Sequence, residues 1–361
     1  MGSSSFLKTT SETSSEMDSE AILITGAGGS IGSALAHALL KNSSAHVVLL
    51  DVSEQNLHRV DLSAGRVAGR ARFTSVLGDI SDDRLIASLL ERHRVRRIFH
   101  TAAFKHANLL ESNALAAIKN NAVGTWKIAV RARNYGVSTF VMLSTDKAVD
   151  PIGIMGATKR AAEMALLALE DSRTRMLAIR LGNVWGTQGS VVPLFLDQIE
   201  HGGPVTVTDP AASRYFFSLD DAVDLILSAA ELGLSGVVIP RAGSPRNILA
   251  LAEELIANSE NPKAKDVQIV LTGLKSGEKL TEAFVSADEK TERTCDPRLF
   301  AVTSEVPDRD TLSGYCAELS KRVELREMEP ALETLKKIVP NYKPSRVKWS
   351  DAYQRVDQSL G

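Results

Sequence analysis

The chain has 361 residues, with 42 Lys and Arg against 44 Asp and Glu, a formal charge of −2, and 44% hydrophobic and 24% charged residues. That mix is typical of a globular protein with ample core. The balanced charge argues against a nucleic-acid binder, which carries a strong basic excess, and two cysteines, Cys295 and Cys316, are too few for a disulfide framework or a zinc cluster. No apolar run approaches the roughly 18 residues that a membrane span needs, so no integral membrane segment, no nucleic-acid partner and a reducing, cytoplasmic setting are expected.

Residues 1–20 are rich in Ser, Thr and Glu, which predicts a disordered tail; Phe6 and Leu7 are too isolated for a secretory signal. Strands and helices then alternate. Strands are predicted at 21–25, 46–50, 72–77, 95–100, 137–144 and 176–181. Helices are predicted at 31–40, 54–68, 82–93, 115–135 and 156–169. Apolar strand runs separated by amphipathic helices imply an α/β fold, a Rossmann-like doubly wound parallel sheet covered on both faces. Residues 21–182 are expected to form this dinucleotide-binding domain, with 218–242 returning to it. The Gly- and Pro-richer stretches 183–217 and 243–345 are expected to form a smaller substrate-binding region, with helices near 310–325 and 328–338. A second tail, 346–361, follows, with Trp349 and Tyr353 available to pack it.

Between the first strand and first helix, Gly26, Gly29 and Gly32 form a G-x-x-G-x-x-G spacing. The first glycine permits a tight turn, the second lets a pyrophosphate approach the backbone, and the third lets helix and strand pack closely. Ser30 and Ile31 open the helix, whose N-terminus faces the phosphates. Asp51 ends the second strand, where a carboxylate can accept the ribose hydroxyls of NAD or cap the following helix; no Arg follows at once, so NAD is favoured over NADP. Asp79 and Ile80 close the third strand, where they can meet the adenine edge or simply form a turn or cap.

Ser144, Thr145, Asp146 and Lys147 follow the fifth strand, and Lys159 lies in the next helix. Ligands of open α/β sheets gather at the carboxyl ends of strands, so these groups are expected to face the nicotinamide. Asp146 beside Lys147 offers an acid and a base in one loop, or a solvated ion pair.

These residues sit in a longer pattern. TGAGGSIGS (25–33), FHTAAFKHANLLE (99–111), NNAVGT (120–125) and LSTDKAVDPIGIMGATKRAAE (143–163) are followed by RLGNVWGTQGSVVPLF (180–195), GGPVTVTDPAASRYF (202–216) and LKSGEKL (274–280). Together they resemble the extended short-chain dehydrogenase/reductases, specifically nucleotide-sugar 4,6-dehydratases acting on UDP-N-acetylglucosamine, over about 22–279. The wider superfamily uses Tyr-x-x-x-Lys; this chain has Met155-x-x-x-Lys159. A thioether cannot deprotonate a sugar hydroxyl. Methionine here is similar to the subgroup of large, membrane-anchored dehydratases of bacterial glycan synthesis that retain the C5 configuration. Their membrane domain and extra N-terminal nucleotide-binding domain have no counterpart in this sequence, which reads as a short relative or an excised catalytic part.

The resemblance implies a tightly bound, recycled NAD, C4 oxidation, elimination of water across C5 and C6, and hydride return to C6. It implies Lys147 as the C5 base, Asp146 as the acid at the C6 hydroxyl, Thr145 and Ser144 near O4, and Lys159 on the nicotinamide ribose. A water held by Thr145 and Asp146 is the expected acceptor of the O4 proton. Ala102 is expected at the cofactor. Lys105 and His106 line the nicotinamide side or form a surface turn. Asn121 supports Ser144 or Lys159, or is a packing amide. Asn183 and Arg214 are expected on the UDP pyrophosphate, Val191 over the uracil or sugar or in the core, and Glu278 near the sugar nucleotide or in the first turn of a helix. No metal site is expected: His100 and His106 lack a helical ligand spacing. A homo-oligomer built on helices 115–135 and 156–169 is implied by family architecture. The rival readings are a nucleotide-sugar C4-epimerase, a dehydratase of another nucleotide sugar, and an NAD-binding sensor or scaffold without turnover.

Overall fold

The computed structural model describes residues 20–68, 71–171, 173–305 and 308–344. The expected tails, Trp349 and Tyr353 lie outside these, except for Glu20. In chain order the elements are β1 (Ala21–Thr25), α1 (Ser30–Asn42), β2 (His46–Asp51), α2 (Glu54–Val67), β3 (Arg72–Leu77), α3 (Asp83–His93), β4 (Val95–His100), α4 (Ala107–Glu111) and α5 (Ala114–Ala117). A π-helical stretch, Ile118–Gly124, leads into α6 (Thr125–Asn134), followed by β5 (Thr139–Thr145), α7 (Ile154–Leu169), β6 (Arg175–Leu181), β7 (Asn183–Val184), α8 (Val191–Glu200), β8 (Val205–Val207), β9 (Ser213–Arg214) and β10 (Phe216–Phe217). Then come α9 (Leu219–Glu231), β11 (Gly236–Pro240), β12 (Arg246–Asn247), α10 (Ile248–Ala257), β13 (Ile269–Leu271), β14 (Lys290–Arg293), β15 (Leu299–Thr303), α11 (Arg309–Glu324) and α12 (Met328–Ile338).

The main sheet has nine strands in the order β14-β15-β11-β6-β5-β4-β1-β2-β3. Its strands from β3 to β11 pair in parallel, while β15 joins β11 and β14 antiparallel. Strands β1 and β2 are buried almost throughout, as a sheet covered on both faces demands. The strand order reverses between β1 and β4, which places the crevice for a ligand beyond Thr25 and His100. Among the described residues no helix is long and apolar enough to cross a membrane.

Three expectations need correction. The helix expected at 115–135 is divided: Asn121, within the π stretch, turns its side chain to the backbone of Phe104, and Gly124 packs where a Cβ would come 3.1 Å from Ile80 Cδ1. The segment 243–345 does not stay in one region: α10 and β13 join a small apolar cluster with Phe195 and Val205, whereas β14 and β15 extend the main sheet. Finally, α11 and α12 pack on α7 and the π stretch, burying Leu312, Cys316, Leu319, Ala331 and Leu335 against Ile118, Met164 and Ala165. The π stretch and α7, two of the segments assigned to an oligomer interface, are thus covered within one chain.

Candidate active site

The glycine loop has the shape that a dinucleotide requires. Gly26 has φ +67°, and a Cβ there would come 2.6 Å from Ala102 N. A Cβ on Gly32 would meet Gly26 O at 2.2 Å and Thr101 Oγ1 at 2.8 Å. Gly29, by contrast, would meet only Gly26 O, at 3.3 Å, so its outer side is open to a phosphate. It caps α1 without a side-chain hydrogen bond, leaving the first amide donors of the helix, at Ser30 and Ile31, available to an anion.

Asp51 is buried, and its two oxygens accept from Gly28 N–H and Ser53 N–H, both at 2.8 Å. It ties the glycine loop to the end of β2 and has lone pairs left for ribose hydroxyls. The cap of α2 is Ser53, not Asp51. Asp79 makes a turn, accepting from Ser81 N–H at 2.7 Å, while Asp82 caps α3. Ile80 is buried beside Gly124. From the far side, Gln188 reaches over this end of the sheet: its N–H donates to Ser30 Oγ at 3.2 Å.

Around β4 the histidines separate. His100 is fully buried between the Thr25 and Thr125 hydroxyls, at 2.7 and 2.9 Å. Burial, reinforced by the charge of Lys159, pushes its pKa down to about 3, so it is a neutral core imidazole. His106 is exposed and lies under Gly189, where a Cβ would come 2.1 Å from its Cε1; Lys105 beside it is exposed too. Asn121 holds neither Ser144 nor Lys159. Its amide clamps Phe104, accepting from N–H at 2.8 Å and donating to O at 2.9 Å, and reaches Thr158 Oγ1 at 3.3 Å. It thereby fixes the loop that carries Ala102 and Lys105 against α7.

The loop after β5 is built by close approach. A Cβ on Gly156 would lie 2.1 Å from Lys147 O, and one on Gly153 would lie 2.8 Å from both Glu111 Oε1 and Gly277 Cα. Gly153 caps α7 with no side chain; Glu111 supplies the acceptor instead, taking Ile154 N–H at 2.6 Å. Asp146 has no exposed surface. Its Oδ1 accepts from Lys147 Nζ and Thr145 Oγ1, both at 2.9 Å, and its Oδ2 has no hydrogen-bond partner. Lys147 Nζ also donates to Asn183 Oδ1 at 3.3 Å and stands 4.0 Å from Glu282 Oε1. Met155 and Lys159 follow on α7, four residues apart and both buried. Burial brings Lys159 down to about 8, against the opposing pull of the Glu163 carboxylate.

The remaining predicted residues have partners within the protein. The Ser144 hydroxyl donates to Glu163 Oε1 at 2.6 Å. Asn183 meets Lys147. Arg214 Nη1 donates to the carbonyls of Ser213 and Leu280, at 2.8 and 2.9 Å. Val191 packs on the small cluster around Phe195. Glu278 lies in a turn, not a helix, and accepts from Lys275 N–H at 3.3 Å.

Five chemically important side chains escaped the sequence reading. Glu282, 3% exposed, lines with Lys147, Gly153, Met155, Gly156 and Lys279 a cavity of about 10 Å³, room for about one water. Beneath the site, Arg180 and Arg160 bridge Glu163 and Glu289 at 2.7–3.0 Å, all four buried. Helical spacing could have suggested the Arg160–Glu163 pair; nothing local announces the others.

Residues 22–304 match the family of the polysaccharide biosynthesis protein. The chain belongs to that family. Over 280 residues it is 41% identical to "Capsular polysaccharide biosynthesis protein CapD" of Staphylococcus aureus, covering 76% of this chain and 47% of that protein. The chain therefore spans about half the length of this relative. Over 339 residues it is 31% identical to "UDP-glucose 4-epimerase" of Rickettsia rickettsii, covering 87% of this chain and 95% of that protein. Among solved structures, the dTDP-glucose 4,6-dehydratase DesIV of Streptomyces venezuelae, with NAD and TYD bound, matches at 25% identity and a TM-score of 0.61, over 73% of this chain and 87% of that one. Within this polysaccharide biosynthesis family the architecture is the Rossmann-type sheet of nucleotide-sugar-modifying short-chain dehydrogenase/reductases.

Proposed function

We propose that this chain is an NAD-dependent 4,6-dehydratase that converts UDP-N-acetylglucosamine to a UDP-4-keto-6-deoxy sugar. The observation that carries the reading is the Asp146–Lys147 pair at the end of β5, joined by a 2.9 Å hydrogen bond, beside Met155 where an epimerase-type site would use tyrosine. Gly26, Gly29, Gly32, the N-terminus of α1 and Asp51 would hold the dinucleotide, with Ala102, Asp79 and Ile80 at its edges and Lys159 on the nicotinamide side. Held there, NAD would supply a reversible hydride acceptor, so no external redox partner would be needed.

The residues supply the proton chemistry. Lys147 Nζ and Asp146 Oδ1 stand 2.9 Å apart, within reach for proton transfer. With the proton on Asp146, Lys147 is an amine that removes the C5 proton, and Asp146 is an acid that protonates the departing C6 hydroxyl. Asn183 steadies Lys147, and Thr145 steadies Asp146. Arg214, His106 and Lys105 would serve as partners for the nucleotide.

Incubation with UDP-N-acetylglucosamine in deuterated water, read by mass and proton spectra, tests this. Loss of one water with a deuteron at C5 supports it. A C4 epimer without loss of water would favour the second reading, an epimerase, to which the Rickettsia relative points. An unchanged sugar, with NAD still bound and a panel of nucleotide sugars also inert, would favour a sensor or scaffold.

A further inference from the structure

The dehydration just described leaves one proton without a destination. Oxidation at C4 must release the O4 proton, and Met155 cannot take it. The expected alternative, a water held by Thr145 and Asp146, does not fit the cavity beside Met155 described above: neither residue lines it. The Thr145 hydroxyl donates to Asp146 Oδ1 at 2.9 Å, and that oxygen also accepts from Lys147 Nζ; Asp146 Oδ2 is unpartnered, but Asp146 does not line the cavity.

Glu282 does line that cavity. It is 3% exposed, and its Oε2 is buried without a hydrogen-bond partner. Oε1 stands 4.0 Å from Lys147 Nζ and Oε2 3.7 Å from Lys279 Nζ, while Lys279 is itself anchored on Val149 O at 2.6 Å. We propose that Glu282 is the catalytic base for the sugar's 4-hydroxyl, acting across the cavity directly or through one water, in the role that Met155 leaves unfilled. The proposal rests on the dehydratase reading.

The proton inventory closes with this assignment. The O4 proton passes to Glu282 as the C4 hydrogen leaves as hydride to the nicotinamide dinucleotide, and C4–O4 becomes a double bond. Lys147 then takes the C5 proton while Asp146 gives its proton to the C6 hydroxyl, and the C6–O bond breaks to release water. Hydride returns to C6 and Lys147 returns a proton to C5. Lys147 and Asp146 are now one proton short. The proton on Glu282, beside Lys147, makes up the deficit and restores the starting state. Burial agrees with the role. Desolvation raises the Glu282 pKa above the ordinary carboxylate range, aided by Asp146 and opposed by Lys147, Lys279 and Arg214. A raised pKa makes a carboxylate a better base near neutral pH.

The test compares wild type with Glu282→Gln, which keeps the shape, and Glu282→Asp, which keeps the carboxylate. In a single turnover with UDP-N-acetylglucosamine, absorbance of the reduced nicotinamide should rise at least about 100-fold more slowly in Glu282→Gln and recover in part in Glu282→Asp. Exchange of the C5 proton of the 4-keto-6-deoxy product with deuterated water uses only Lys147 and Asp146. It should stay within a few fold of wild type, which shows an intact site. Oxidation at the wild-type rate in Glu282→Gln overturns the proposal, as does equal loss of oxidation and C5 exchange. A wild type inert on this sugar sinks the dehydratase reading instead. Glu282 is then judged by infrared titration without substrate: a protonated-carboxyl band absent from Glu282→Gln should persist above the ordinary Glu pKa of about 4.3, and its absence there overturns the proposal.

Discussion

Gly156 lies so close to Lys147 that a Cβ at position 156 would stand 2.1 Å from the Lys147 carbonyl oxygen. The obstacle is backbone, so neither partner can yield by changing rotamer, and α7 and the loop of Asp146 and Lys147 must move apart. A shift of about 1 Å in a catalytic group can cost about 100-fold in rate, whereas overpacking typically costs about 1–3 kcal/mol of stability. Gly156→Ala is therefore expected to remain folded with turnover reduced at least about tenfold. Melting curves and turnover measured on one preparation check this; an active, unshifted variant would show that the loop tolerates displacement.

Arg180 is the anchor beneath that loop. Both oxygens of Glu163 and both of Glu289 accept from it, with no solvent contact at its side chain. Burial alone would raise the Glu163 pKa, but the charge and hydrogen bonds of Arg180, with Arg160 and Ser144, bring it to about 2. Removing one partner of a buried ion network leaves charge uncompensated, at a cost of about 3–5 kcal/mol, and Arg180→Met is expected to lose about that much in urea unfolding. The sign with pH follows from the depressed pKa. The contribution of Glu163 is complete above its ordinary value of 4.5 and is lost as pH falls towards 2. The variant's acid transition should thus move to higher pH; an unmoved transition would count against the network.

Lys159 presents the opposite case. Burial lowers its pKa from 10.5 to about 8, with Glu163 pulling the other way. At pH 7 folded and unfolded chains both hold the proton, and the folded one bears the full penalty, about 3 kcal/mol at about 1.4 kcal/mol per unit. Between pH 8 and 10.5 the unfolded chain binds the proton that the folded one has released, so stability rises with pH. Lys159→Met should therefore be the more stable protein at pH 7, by up to about 3 kcal/mol, with the gap narrowing as pH passes 8. Wild-type activity that needs the ammonium should decline above about pH 8. Urea titrations of both proteins from pH 7 to 10 decide the first point, and a gap independent of pH would refute it.

The fold was legible where local signals agree. The runs of β1 and β2 and the glycines between β1 and α1 each carry their own message, since strand periodicity and turn chemistry act over a few residues. Asp146 and Lys147 were legible because they are adjacent. Long-range partners were not. Glu282 meets Lys147 from 135 residues away in sequence, and Glu289 meets Arg180 across 109; no spacing rule links such pairs. The bond from Ser144 was not legible for the same reason, since its partner Glu163 lies on the helix packed behind β5. The covering of α7 by α11 and α12 was missed because an apolar helix face does not say whether its cover comes from the same chain or another.

That cover can be watched through the cysteines. Cys316 on α11 is buried in the cluster with α7, and burial raises its thiol pKa to about 12, whereas Cys295 is exposed. The thiolate is the reactive form, so a chromogenic disulfide at pH 8 should titrate one thiol rapidly in the native chain and the second only in denaturant. Leu335 on α12 has no exposed surface and packs in the same cluster. Leu335→Asp places a charge there without a partner, a cost of several kcal/mol that undocking relieves. In this variant the second thiol should become reactive without denaturant. If both thiols of the wild-type chain react at once, α11 is not held against α7 in solution, and that face is open to another partner.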